Sequence, residues 1–221
     1  MDTVIQKQDG AIELRYTVRE LRADPAGEGR RVVGYAAIYN SLSEDLGGFI
    51  ERIRPGAFAR TLRSADVRAL MNHDRNYVIG RNKAGTLELV DDEVGLRIAA
   101  DAPDTQWARD MLTSIRRGDI DQMSFTFRAI RDEWTQVEDQ LVRTLIDVDL
   151  YDVSVVTFPA YPQTSVNVRS IVDRFRESGG VGLAGLEPEP GRPADPMDQR
   201  ARARQVQRAR RLAVLLEKGR G

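Results

Sequence analysis

No cysteine occurs anywhere in the chain, and histidine occurs once, at His73. The missing thiols exclude a disulfide scaffold and fit a reducing compartment. A solitary histidine excludes an HExxH zinc site and a Cys/His zinc module, because both need several nitrogen or sulfur ligands at fixed spacing. Imidazole chemistry near neutral pH must therefore run through His73 or not occur at all. Charge of one sign is also missing. Charged residues make up 30% of the 221 residues yet leave a formal net charge of −1, so no global basic field points to nucleic acid. No run approaches the roughly 18 apolar residues of a membrane span. Met1-Asp2-Thr3-Val4-Ile5-Gln6 lacks the basic and apolar regions of a secretory signal, so the expected protein is soluble and makes no membrane contact.

The composition changes near residue 175. Glu177-Ser178-Gly179-Gly180-Val181-Gly182 and Glu187-Pro188-Glu189-Pro190-Gly191-Arg192-Pro193 carry too much glycine and proline for element interiors. The chain therefore reads as a folded domain over 1–176, a flexible linker over 177–196 and a basic amphipathic helix over 197–221, with Asp198 as its N-cap and Gly219 as its stop. Such a helix is either a solvated tail or a docking tag for an acidic or helical partner.

Short alternating runs dominate the front domain. Ala11–Leu21 and Arg31–Tyr39 read as strands joined by a loop with Pro25, Gly27 and Gly29, the second carrying Val33, Tyr35 and Ala37 on one parity. Further strands are expected at Val67–His73, Thr86–Val90, Leu96–Ala100, Asp121–Arg131, Gln140–Val148 and Tyr151–Phe158. Two helices interrupt them: Pro55–Arg63, with proline in its first turn, and Asp104–Arg117, capped by Asp104 and closed by Gly118. Many short strands with two helices imply an α+β domain on a sheet or barrel. The absence of G-x-G-x-x-G and of a P-loop excludes the usual nucleotide folds.

Strand parity singles out three polar residues. With an unbulged strand, Ile146, Val148, Leu150 and Val156 form an apolar face that also holds Asp152, while Asp147 and Asp149 face water. A carboxylate among apolar neighbours needs a partner, and a histidine it orients is one such partner. A bulge near Asp152 would instead turn it outward. Ser124 lies between Met123 and Phe125, so its hydroxyl stands in an apolar wall. His73 shares the parity of Val67, Ala69 and Met71, at the end of a strand that closes in a polar turn. Histidine, serine and aspartate on three strands are the residue types of a base, a nucleophile and an orienting acid, although spacing alone does not bring them together. Ser154 is the next serine to consider as nucleophile.

Five segments resemble one family, over about residues 30–170 and in the same order: Gly34-Tyr35-Ala36-Ala37-Ile38-Tyr39-Asn40, Glu51-Arg52-Ile53-Arg54-Pro55-Gly56-Ala57-Phe58, Leu70-Met71-Asn72-His73-Asp74, Met123-Ser124-Phe125-Thr126-Phe127, and Asp152-Val153-Ser154-Val155-Val156-Thr157-Phe158-Pro159-Ala160-Tyr161-Pro162. They are similar to the prohead (capsid maturation) serine proteases of HK97-type tailed bacteriophages, which are related in fold to the herpesvirus assembly proteases. The resemblance implies a β-barrel flanked by helices, with His73 as general base, Ser124 as nucleophile and Asp152 as orienting acid. The family pattern usually has glycine where Thr126 stands and often glutamate where Asp152 stands.

The resemblance further implies a serine endopeptidase that needs neither metal nor organic cofactor. Its substrates would be the scaffolding protein, the major capsid protein and the protease itself, cut within the procapsid in the host cytoplasm. Residues 177–221 would then be an encapsidation tag or a self-cleaved tail. The segment after Phe158, stiffened by Pro159 and Pro162, is a candidate for the oxyanion donors. A homo-oligomer is left open. The alternative is a non-enzymatic capsid or scaffold assembly module that binds through its C-terminal helix. A nucleic-acid binder is the weakest reading, because the arginine cluster is confined to the tail.

Overall fold

A computed structural model describes residues 5–7, 11–17, 21–24 and 29–158. The strands are β1 (Ile5–Lys7), β2 (Ile12–Thr17), β3 (Arg22–Asp24), β4 (Arg31–Ile38), β5 (Ile50–Ile53), β6 (Arg68–Met71), β7 (Asp74–Arg81), β8 (Leu87–Asp91), β9 (Gly95–Asp101), β10 (Gln122–Val137) and β11 (Gln140–Val156). One α-helix, α1 (Gln106–Arg117), lies between β9 and β10. Among the described residues the strands form two open sheets and no closed barrel. One is ordered β1-β10-β11-β6-β7, with β2 added on β10 and β5 on β11; the other is ordered β3-β4-β9-β8. Among the described residues the architecture is mostly β with one α-helix. The expected linker, the basic tail, the boundary at 176 and the segment after Phe158 lie outside the described residues. Among the described residues no helix is long and apolar enough to cross a membrane.

The first sheet is organised by the hairpin of its two longest strands. β10 and β11 pair antiparallel from Gln122↔Val156 to Val137↔Gln140, so the two separate strands expected at Gln140–Val148 and Tyr151–Phe158 are one. Each long strand has room for two partners along its outer edge. β1 and β2 share the edge of β10, while β5 and β6 run parallel to β11 at opposite ends. The core lies between the sheets: Val32, Ala36, Leu96, Ile98 and Ala100 come from one, and Phe125, Phe127, Val148, Leu150 and Val153 from the other. Burying the valine, leucine, isoleucine and phenylalanine side chains among these stabilises by about 1.5–3 kcal/mol each. Phe58 meets Phe125 edge-on at 5.7 Å between ring centroids.

In β4 the buried positions are Val32, Gly34 and Ala36, not the parity of Val33 and Tyr35; a register shift between Tyr35 and Ala37 then brings Ala37 inside. Gly95 opposes this irregularity. A Cβ there would stand 2.0 Å from the Ala37 carbonyl oxygen, so only glycine lets the two backbones approach.

The helix expected at Pro55–Arg63 is a series of tight turns ending in a short 3₁₀ segment at Thr61–Arg63. The reason is local. Gly56 has φ +84, which breaks an α-helix after its first residue, and the bonds Ala57 N–H to Arg54 and Ala59 N–H to Gly56 span three residues. The second helix forms as expected, with Ala108, Met111, Leu112 and Ile115 as its buried stripe and Gly118 at φ +79 as its left-handed stop. Its N-cap, however, is Thr105. Asp104 instead pairs with Arg109.

A buried ion cluster joins β2, β5, β10 and β11. Arg143, 1% exposed, donates to Asp132 at 2.6 Å, to Glu13 at 2.6 and 2.9 Å and to Glu51 at 3.1 Å. Arg15 completes it through Glu51 at 2.7 Å and Glu13 at 2.7 Å. Burial alone would raise the Glu13 carboxyl, but Arg143 and Arg15 outweigh it and hold the group below the usual carboxylate range. The cluster pins β2 against β10, which fixes the backbone of Arg15 beside Ser124.

Candidate active site

The site begins with a two-residue turn. β6 and β7 form a hairpin closed by the pair Met71↔Asp74, and the loop residues Asn72 and His73 have φ +51 and +58. Two consecutive left-handed residues are what a type I′ turn requires, and asparagine and histidine tolerate that region better than most. Asn72 secures the turn to the end of β11. Its N–H donates to the Val155 carbonyl at 2.8 Å, and its side-chain oxygen accepts from the Thr157 N–H at 2.9 Å. His73 is thus aimed by a strained turn over the sheet, not by strand parity.

The register of β10, β11 and β6 supplies the rest. Ser124 pairs with Ser154, and Thr126 pairs with Asp152, so these four share one face. Met123, Phe125, Val153 and Val155 take the other face and enter the core. The expectation that Asp152 lies on the face of Val148 and Leu150 is overturned here. Phe127 pairs with Leu150 while Thr126 pairs with Asp152, which leaves Tyr151 as an extra, exposed residue. This bulge reverses the parity, and Asp152 faces away from the core. It is nevertheless covered, with only 15% of its side chain exposed, because His73 lies over it. Asp147 and Asp149 do not simply face water either. Arg60 donates to both, at 2.8 and 2.6 Å, and Arg128 donates to Asp149 at 2.7 Å.

The three residues singled out in the sequence meet. His73 Nε2 is 2.7 Å from Ser124 Oγ, and His73 Nδ1 is 2.7 Å from Asp152 Oδ1. Ser124 is fully buried, and its hydroxyl also reaches the Arg15 carbonyl at 2.8 Å. One hydroxyl proton cannot serve both acceptors at once, so Ser124 Oγ–H is directed either to Arg15 or to an unprotonated Nε2.

Two more hydroxyls complete the group: Ser154, considered from the sequence only as another nucleophile, and Thr126, which stands where the family usually has glycine. Ser154, also fully buried, donates to Asp152 Oδ1 at 2.8 Å and lies 3.1 Å from His73 Nδ1. Thr126 Oγ1 lies 3.2 Å from the same nitrogen. Burial would raise the Asp152 carboxyl, but hydrogen bonds from His73, Thr126 and Ser154 and the charge of His73 bring it below its ordinary value. Asp152 is therefore an anion at neutral pH, turned toward the ring. A cleft of about 440 Å³ is lined by Arg15, Tyr39, Glu51 and Phe125 among others, and by none of His73, Ser124 or Asp152.

No curated protein and no solved structure matches the chain. The family model for the caudovirus prohead serine protease matches residues 16–177, a span that begins on β2 and takes in His73, Ser124 and Asp152. With most of its length matched, the chain belongs to the prohead serine protease family of the tailed bacteriophages.

Proposed function

We propose that this chain is a serine endopeptidase of capsid maturation in which Ser124 is the nucleophile, His73 the general base and Asp152 the acid that orients the base. The observation that carries this reading is the unbroken line of contacts from Asp152 through the imidazole to Ser124, at 2.7 Å on each side. Membership of the prohead serine protease family supports the same chemistry.

The reaction follows from these contacts. His73 Nδ1–H donates to Asp152, which leaves the Nε2 lone pair facing Ser124. Ser124 Oγ attacks the scissile carbonyl carbon as its proton passes to Nε2, and Asp152 stabilises the imidazolium that forms. The tetrahedral adduct collapses with cleavage of the C–N bond, and Nε2–H protonates the departing amine. Water then repeats the sequence on the acyl-enzyme and restores Ser124. The substrates are the scaffolding protein and the major capsid protein inside the procapsid, together with the protease itself. Enclosure there gives a high effective concentration, so a modest turnover suffices.

A serine-directed fluorophosphonate probe tests the proposal. Labelling of Ser124, lost in Ser124→Ala and in His73→Ala, is the expected result. A folded wild-type protein that takes no label would favour a non-enzymatic assembly module instead.

A further inference from the structure

We propose that Ser154 is a positioning residue that selects the reactive tautomer of His73. This rests on the catalytic reading above and extends it to a residue outside the triad.

The argument is one of donors and acceptors. Ser154 has one hydroxyl proton, and it goes to Asp152 Oδ1 at 2.8 Å. The oxygen of Ser154 therefore turns its lone pairs toward His73 Nδ1, 3.1 Å away. Asp152 Oδ1, at 2.7 Å, is also an acceptor. Thr126 Oγ1, which also donates to Asp152, lies 3.2 Å from the same nitrogen. With the hydroxyl protons turned to the carboxylate, an unprotonated Nδ1 would face only lone pairs. The proton is thus held on Nδ1, and Nε2 is left as a base toward Ser124. Asp152 alone could be replaced in this role by a rotated or protonated carboxyl; the Ser154 donor removes both options by holding Oδ1 in place and favouring its charge.

The placement is built into the fold. Ser154 sits directly opposite Ser124 in the β10–β11 ladder and two residues beyond Asp152, and it is fully buried. Val153 and Val155 beside it pack into the core, so its backbone has no freedom to withdraw the hydroxyl. Its proton goes to the carboxylate that contacts His73 and not to a backbone carbonyl.

The single histidine makes the test clean, since every imidazole signal of the full chain belongs to His73. Fluorophosphonate labelling kinetics and ¹⁵N imidazole shifts are compared for the wild type, Ser154→Ala and Ser124→Ala. Ser154→Ala should label Ser124 about tenfold to a hundredfold more slowly, the loss expected for one hydrogen bond to a charged group. Its saturation constant for the probe should be unchanged, and its ¹⁵N shifts should move toward a mixture of the two neutral tautomers. Labelling at the wild-type rate overturns the inference, and so does slower labelling with unmoved imidazole shifts, which would mark general damage. Persistent labelling of Ser124→Ala, or label found on Ser154 in the wild type, would instead overturn the catalytic reading itself.

Discussion

Asp149 and Asp152 occupy the same face of β11 although they are three positions apart, because Tyr151 is an extra residue between the pairs Phe127↔Leu150 and Thr126↔Asp152. Simple alternation puts them on opposite faces. What distinguishes them is their partners: Asp149 is held by Arg60 and Arg128, and Asp152 by His73, Ser154 and Thr126.

That difference gives the sharpest mutational contrast. Asp152→Asn should leave a folded protein with the ring free to take the wrong tautomer and lower kcat by up to about 10⁴. Asp149→Asn and Asp147→Asn remove only one side of partly exposed ion pairs and should retain activity within about twofold. A processing assay at matched folded concentration decides the matter. An inactive Asp149→Asn beside a normal Asp152→Asn would reverse the assignment.

Ser124→Ala should abolish self-processing and capsid-protein processing without unfolding the domain. Only one oxygen is lost, while Met123 and Phe125 keep their core contacts. Mass spectrometry of the variant co-expressed with its capsid partners would show intact chains, and cut products would refute the nucleophile.

His73 carries two loads at once, the ring and a left-handed backbone at φ +58. His73→Ala should lose several orders of magnitude in turnover and also some stability, since alanine pays for positive φ. His73→Gly should be equally inactive yet melt higher than His73→Ala, because glycine adopts that region freely.

Acid stability should report on the depressed carboxyls. Asp152 and Glu13 both titrate below their ordinary values in the fold. Their stabilisation is complete above the unfolded values of about 3.9–4.3 and is lost as pH falls through the lower folded values. The melting temperature of the wild type should therefore decline below about pH 4, and that decline should be shallower for Asp152→Asn. An identical slope in the two proteins would mean that the Asp152 carboxylate is not stabilised by folding.

Arg143 tests the frame beneath the site. It is 1% exposed and reaches Asp132, Glu13 and Glu51, so Arg143→Ala takes a buried cation away from three carboxylates and leaves Arg15 alone to face Glu13 and Glu51. The expected cost is about 3–5 kcal/mol in denaturant unfolding. A cost under about 1 kcal/mol would show that the cluster is not needed to hold β2 against β10.

The sequence by itself determined the chemistry available and much of the local structure. A chain with one histidine and no cysteine has one imidazole base to offer. The runs at Thr86–Val90 and Leu96–Ala100, the helix closed by Gly118 and the polar turn after Met71 are legible because their signals are local. The helix misread at Pro55–Arg63 had the right composition, and only the positive φ of Gly56 overrode it. Tertiary structure alone decided that the three residues meet. The extra residue at Tyr151 is set by how β11 pairs with β10 and β6 together, and no periodicity within β11 records it. Strand pairing likewise merged two expected strands into one and set Ser154 opposite Ser124. The I′ geometry of Asn72 and His73, locked to Val155 and Thr157, swung the ring over that ladder. Side-chain type is written along the chain, whereas register and bulges are settled between strands far apart in it.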